Sequence, residues 1–453
     1  MNQIDPATYS PHSSSSGEEE RCEALSLPMD INPGQSVRLN YLDGLRGLAA
    51  LQVVLLHYVM AFMPVLAMAG TVPWYPATMP GWQAFLANTP FIFLINGYSA
   101  VYIFFLMSGF VLRAAYERID SFAIGVWRRL IRLWIPTVTA VIIAGLLLAF
   151  DYNAHFAAAK ISGSTKWLGA LMLTKPTIAA VTHDALFNSL LLGYQRFSAL
   201  HRVIELQSLN NAFDAPVWTL NIELVGSLVC LVLSLIGQRN RSIRGILIVT
   251  FALFAGANQI FLFVIGFMLA GIYPRRVGWI GQCAGTLALI SGVLLCRLTA
   301  IGSVLWLHKI WFLGHTPGTF QFTNQIGAIL VFVGVLNLPV VHNILATRVP
   351  QYLGRISFSL YLVHFPIMAT LGCSLFVNTE PVLGVVGASF VALIVGLVVT
   401  LPAATLFERW IDRPAVRLSR RALRRHLSAS QASGSRRSGL MPARTIIKVV
   451  HRA

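Results

Sequence analysis

The chain has 453 residues, with 34 Lys and Arg against 17 Asp and Glu; 56 % are apolar and only 11 % are charged, where a soluble protein carries about 25 % charged residues. From Tyr58 to Leu112 there is no Asp, Glu, Lys or Arg, and a bilayer core about 30 Å thick needs only about 20 such residues per helix. A soluble globular enzyme is excluded, and an all-α polytopic membrane protein is predicted.

The excess of 17 positive charges would suit nucleic acid, but its placement argues for lipid. Twelve Lys and Arg lie between Arg409 and Ala453 beside a single acid, Asp412. No stacking-aromatic or zinc pattern accompanies them, so no nucleic-acid partner is expected. A basic run directly after a hydrophobic segment marks a cytoplasmic flank meeting anionic headgroups, at about 1 kcal/mol per charge. The cysteines, Cys22, Cys230, Cys283, Cys296 and Cys373, have no CxxC or metal-ligand spacing, and no bound metal is expected.

In chain order, residues 1–40 read as a polar, disordered tail without a cleavable signal peptide, so the first span inserts uncleaved. Apolar runs then predict a bundle of about ten transmembrane helices, near 45–68, 91–112, 130–150, 217–236, 243–257, 259–274, 278–297, 324–346, 356–377 and 383–408. The pair 243–257 and 259–274 is short for two crossings and leaves one or two open. The stretch 298–323 reads as re-entrant or interfacial, and 151–216 as an extracytoplasmic cap within a membrane domain spanning 41–412. Arg113, Arg118, Arg128, Arg129 and Arg132 follow span two, and Arg239, Arg241 and Arg244 follow span four. Short cytoplasmic loops hold such charges, so both termini, including the basic tail 413–453, are predicted in the cytoplasm.

Four constellations can carry chemistry. In the first span, Asp43, Arg46 and His57 stand in the string LDGLRG followed by an apolar run. The eleven-residue step from Arg46 to His57 is three helical turns plus about 20°, so both share a face, ~16.5 Å apart along the axis. An ionisable group at bilayer depth faces a cavity or a partner, which makes His57 a candidate base; a packing histidine beside an interfacial arginine is the alternative. The second span carries Ser108 and Gly109, small enough for close helix approach. Arg129 and Arg132 follow on one helix face, where planar guanidinium groups suit phosphate as well as they suit a topology anchor. Span four opens with Trp218 and reaches Glu223, an acid in an uncharged run that either pairs with an arginine or takes part in catalysis. The span near 356–377 carries Tyr361 and His364 before Pro366. Counting depth at 1.5 Å per residue puts His57, His364 and Glu223 within roughly 9 Å of one level, with the arginines a leaflet below.

The strings LDGLRG with Arg46 and His57, FFLMSGF, RRLIRLWIP, WTLNIE, LGRISFSLYLVHFP and ERWIDRP resemble, in the same order, the bacterial polysaccharide and O-antigen O-acetyltransferases called acyltransferase family three. The resemblance implies transfer of an acyl group, as acetyl, from cytoplasmic acyl-coenzyme A to a hydroxyl of a glycan or other acceptor, in a bacterial inner membrane. It implies catalysis by His57, Glu223 and His364 and donor binding by Arg46, Arg129 and Arg132. Asp43, Ser108, Gly109, Trp218 and Tyr361 would shape the site, and no cofactor would be permanently bound. Leu224 stands where the family has a second acid, and Asp412 where Glu is usual; the first leaves Glu223 to act alone. No further soluble module follows the membrane region, so product export is expected to need other proteins. A transporter or flippase is the rival class, but a twelve-span carrier would show two similar halves, and no internal repeat is evident.

Overall fold

The computed structural model describes residues 33–68, 81–87, 89–117, 119, 121–195, 197–198, 200, 204–254, 259–273, 277–297 and 319–421, the side chains of 33–39, 68, 252–254, 297 and 319–321 excepted. Residues 1–32 of the predicted tail 1–40, those beyond 421 of the basic tail 413–453, and 298–318 of the stretch 298–323 read as re-entrant lie outside the described residues; 33–40 and 319–323 are helical. The chain divides after Asn40, and everything described from Tyr41 onward forms one compact unit.

Among the described residues every regular element is a helix. In order they are α1 (Pro33–Phe62), α2 (Pro64–Met68), α3 (Gly81–Ala87), α4 (Gly97–Tyr116), α5 (Phe122–Phe150), α6 (Ala154–Ser162), α7 (Ile178–His183), α8 (Trp218–Arg239), α9 (Arg241–Phe254), α10 (Ile260–Ile272), α11 (Trp279–Arg297), α12 (Thr319–Asn337), α13 (Pro339–Leu345), α14 (Arg348–Ile367) and α15 (Cys373–Phe407). Among the described residues, six helical runs are long and apolar enough to cross a membrane, or seven if α12 and α13, bent by 94° at Leu338, are taken as one span. Ten were expected, and beyond the bent pair the difference has two sources. The helices α9 and α10 have 14 and 13 residues, each short of the ~20 a crossing needs. The run Arg348–Arg421 counts as one helix of 74 residues but doubles back on itself. Gly384 leaves the helical region with φ 66°, a conformation glycine adopts without a Cβ clash. Tyr352 near the start of the run then reaches Thr405 near its end, Oη to Oγ1 at 2.8 Å.

Small residues set how closely the helices approach. A methyl group at Gly47 of α1 would lie 2.3 Å from the Gly354 nitrogen of α14, and one at Gly354 would lie 2.2 Å from the Asp43 carbonyl oxygen. The strings LDGLRG and LGRISFS therefore cross in backbone contact. The same holds for α4 against α10, where a Cβ at Gly109 would sit 2.0 Å from the Phe263 carbonyl oxygen and one at Gly266 the same distance from that of Leu106. Small-residue crossings of this kind let backbones pack without a hydrophobic driving force. Gly109→Val is expected to cost more than ~3 kcal/mol, since the obstacle is backbone and cannot rotate away. Gly81→Ala, with nothing within 4 Å of the added carbon, should melt like the parent; thermal unfolding of the detergent-solubilised protein by fluorescence compares the two.

Helix ends are fastened where proline or a 3-10 turn leaves polar groups over. Pro64 lacks the N–H that would close the last turn of α1. The hydroxyls of Ser164 and Ser162 donate instead to the carbonyls of Met60 and Ala61, both at 2.7 Å. The start of α4 is capped by Asn96, whose side chain accepts from the Ser99 N–H at 3.2 Å and donates to Asn324 at 2.6 Å. Gln52 of α1 donates to the carbonyls of Phe93 and Asn96, binding the 3-10 segment Pro90–Ile95 to the bundle.

Candidate active site

Two histidines from opposite ends of the chain meet inside the bundle. His57 Nδ1 of α1 lies 2.8 Å from His364 Nε2 of α14, with ring centroids 5.1 Å apart and planes inclined by 18°. His364 is fully buried and its Nδ1 lies 3.0 Å from the carbonyl oxygen of Leu360, one turn back. Beyond Pro366, which has no N–H to give, the helix passes into a π-turn, Met368–Gly372. His57 is only half-buried. The indole of Trp167 stacks on it at 5.8 Å and 14°, and Phe365 closes its edge at 5.4 Å and 82°. Trp167 comes from the 151–216 connection, which Ser162 and Ser164 tie to the last turn of α1, and its own N–H donates to the Ser164 carbonyl at 3.2 Å.

A strip of polar contacts runs on from this pair. Tyr361 and His364 are three residues apart and share a face of α14. The Tyr361 hydroxyl donates to the carbonyl of Pro216 at 2.6 Å and lies 2.7 Å from Thr219 Oγ1, joining α14 to the start of α8. Trp218 packs on Phe197, with centroids 4.5 Å apart. One turn beyond Thr219, Glu223 Oε1 accepts from Ser108 Oγ at 2.9 Å and forms an ion pair with Arg129 Nη2. These charges are nearly enclosed, their side chains 15 % and 10 % exposed.

The carboxylate thus joins the arginines rather than the histidines. Depth counted along straight, untilted helices placed it nearer His57; the packing of α5 on α8 brings it to Arg129 instead. Arg132, one turn along α5, interacts electrostatically with Asp412, Arg129, Arg46 and Glu223. Its side chain is exposed. Among the described residues it forms no ion pair. Arg46 pairs with Asp43 at 3.0 Å, both partly exposed, a contact worth at most about 1 kcal/mol. Arg46, Arg129 and Arg132 therefore stand in one electrostatic neighbourhood, and Gly109 faces Phe263 of α10 rather than this group.

The connection holds its own buried acids. Asp184 accepts from Tyr194 Oη at 2.9 Å, Asn188 Nδ2 at 3.3 Å and the Phe213 N–H at 3.2 Å. Burial raises its carboxyl above the usual range, partly offset by these donors, and burial beside Asp184 raises Asp214 well above it. Burial also pushes His155 down to about 4. Among the described residues no three His, Cys, Asp or Glu side chains form a group able to hold a metal ion.

Trp167 and Thr219 were not singled out in the sequence. Trp167 lies in a stretch without helical periodicity, and only the serine contacts to the end of α1 bring it over His57. Asp412 had stood out as a departure from the family string, and its charge interacts with that of Arg132.

The model of an acyltransferase domain, that of acyltransferase family 3, matches residues 39–401. O-acetyltransferase PaAT-1 of Phomopsis amygdali is 25 % identical over 449 residues, covering 87 % of this chain and 86 % of that protein. Acyltransferase R4 of a Phoma species is 30 % identical over 101 residues, 20 % of this chain and 21 % of its own. Acyltransferase clz18 of Cochliobolus lunatus is 28 % identical over 111 residues, 22 % and 23 % of the two chains. No solved structure matches. These relatives are fungal, so a bacterial inner membrane, expected from the resemblance, finds no support.

Proposed function

Since the chain belongs to acyltransferase family 3 and is a multi-pass membrane O-acyltransferase with an acyl donor and an acceptor, we propose that the donor is acyl-coenzyme A and the acceptor a hydroxyl of a glycan or secondary metabolite. The contact between His57 and His364 inside the bundle carries this reading, because it sets a partly exposed imidazole where it can take a proton from an alcohol. The acyl group is read as acetyl, by similarity to the O-acetyltransferase PaAT-1.

In this reading Arg46 and Arg132 hold the phosphates of coenzyme A at the end of the bundle that faces the cytoplasm. The pantetheine arm runs along α1 toward His57, following the face that Arg46 and His57 share. His57 takes the proton of the acceptor hydroxyl as its oxygen bonds to the thioester carbonyl carbon. The carbon–sulfur bond then breaks, and the leaving thiolate receives that proton from His57. Glu223 acts by holding Arg129 in place rather than by moving a proton.

Arg132 provides the test. Arg132→Ala should weaken binding of acetyl-coenzyme A by about 10–100-fold, corresponding to the ~1.5–3 kcal/mol of a hydrogen bond to a charged group. Arg132→Lys should recover part of it, keeping the charge and losing the planar fork. Isothermal titration on the detergent-solubilised protein measures both, and unchanged donor affinity in Arg132→Ala and Arg46→Ala would sink the donor-site assignment.

A further inference from the structure

Resting on the reading of His57 as the base, we infer that His364 is a positioning residue that fixes which nitrogen of His57 is free to accept a proton. The argument follows the hydrogen-bond chain from its buried end. The Leu360 carbonyl oxygen only accepts, so His364 Nδ1, 3.0 Å away, carries a hydrogen. In a neutral ring the other nitrogen, Nε2, then has the lone pair. His57 Nδ1 lies 2.8 Å from that nitrogen and must be its donor. The proton of His57 therefore sits on Nδ1, and Nε2 is left as the acceptor.

The opposite polarity requires hydrogen on both nitrogens of His364, which is an imidazolium. That ring is fully buried, packed against Tyr361 and Phe365, and among the described residues no carboxylate is hydrogen-bonded to either histidine. A buried cation without a partner is costly, and the neutral chain is preferred. Catalysis then uses the chain twice. It presents the Nε2 lone pair of His57 to the acceptor, and it keeps an acceptor on Nδ1–H, which becomes more acidic once Nε2 is protonated. The chain ends on a backbone carbonyl inside α14, so the orientation of both rings is set by a rigid helix.

Proline 366 matters to this placement because it stands two residues beyond His364, at the point where the helix opens into the π-turn Met368–Gly372. The carbonyl freed by that proline, Leu362 four residues back, is not the partner of His364 Nδ1. The carbonyl it meets, Leu360, lies one turn back on the side of Tyr361, and this aims Nε2 across to α1.

The test has a direct and a kinetic arm. In the full-length, detergent-solubilised protein labelled with ¹⁵N-histidine, the His57 resonances are assigned by their loss in His57→Gln. The expected pattern is a protonated Nδ1 and an unprotonated Nε2 at neutral pH; the reverse pattern would overturn the inference. His364→Phe, which removes the acceptor but retains an aromatic ring, should give mixed tautomers of His57. It should also lower kcat on the order of 10²-fold, within the range of general-base contributions, with the KM for acetyl-coenzyme A unchanged. His364→Gln, whose amide oxygen can still accept from Nδ1–H, should stay within about 10-fold of the parent, as a hydrogen-bond role predicts. Thiol release from acetyl-coenzyme A, with a crude methanol extract of the host cells as acceptor, reads these rates. If His57→Gln is inactive while His364→Phe keeps full kcat and a single tautomer, this inference fails and the base assignment stands. If His57→Gln is itself active, the base assignment fails first.

Discussion

His57→Gln is expected to abolish acyl transfer while leaving insertion and folding intact. Glutamine can occupy the space and hydrogen-bond to His364, but it cannot take up a proton, and a general base typically contributes 10²–10⁴-fold. Because His57 is half-buried and its ring lies beside Trp167 and Phe365, the substitution removes some stacking area and leaves the helix crossing at Gly47 and Gly354 untouched. Expression in membranes and the elution volume in detergent should match the parent. Thiol release from acetyl-coenzyme A should fall to the background rate. A folded His57→Gln variant transferring acyl groups at near the parent rate would remove the base role and return attention to Glu223.

Glu223→Ala should be among the most destabilising single changes in the bundle. It strips Arg129 of its counter-ion and Ser108 of its acceptor in a place where both charged side chains are 15 % exposed or less. Breaking a buried pair from one side costs about 3–5 kcal/mol, because the remaining charge is uncompensated. Replacing both partners by neutral residues of similar length is far milder, so Glu223→Gln with Arg129→Met should recover most of the lost melting temperature. Activity separates the roles: if the double variant melts like the parent and also transfers acyl groups, Glu223 serves Arg129. A double variant that is stable but as inactive as His57→Gln would instead make the carboxylate a participant in the chemistry.

The predicted spans and the observed helices agree where the apolar run is long and ends on charge, as in α5, α8 and α11. They part where the backbone turns inside an apolar stretch. Span two was read from residue 91, but Pro90–Ile95 is a 3-10 segment and α4 starts at Gly97. The span read as 324–346 breaks at Leu338, ahead of Pro339, into two helices at 94°. Hydropathy does not distinguish an apolar helix from an apolar bend, since both satisfy the same solvent.

For the site, the residue types were legible and their partners were not. A histidine in an uncharged helix, an arginine on its face three turns away and a lone carboxylate in a later span each announce themselves because a polar group in hydrocarbon is costly and must be answered. Helical periodicity also placed Arg46 with His57 on a shared face. What answers each group depends on which helices pack together, and that is settled by glycine crossings such as Gly47 on Gly354 and by hydroxyls on helix-end carbonyls. Only the tertiary structure brought His57 to His364 across 307 positions, Glu223 to Arg129 and Trp167 to His57, because a hydrogen bond 2.8 Å long is decided by the tilt and register of two helices, which no single helix records.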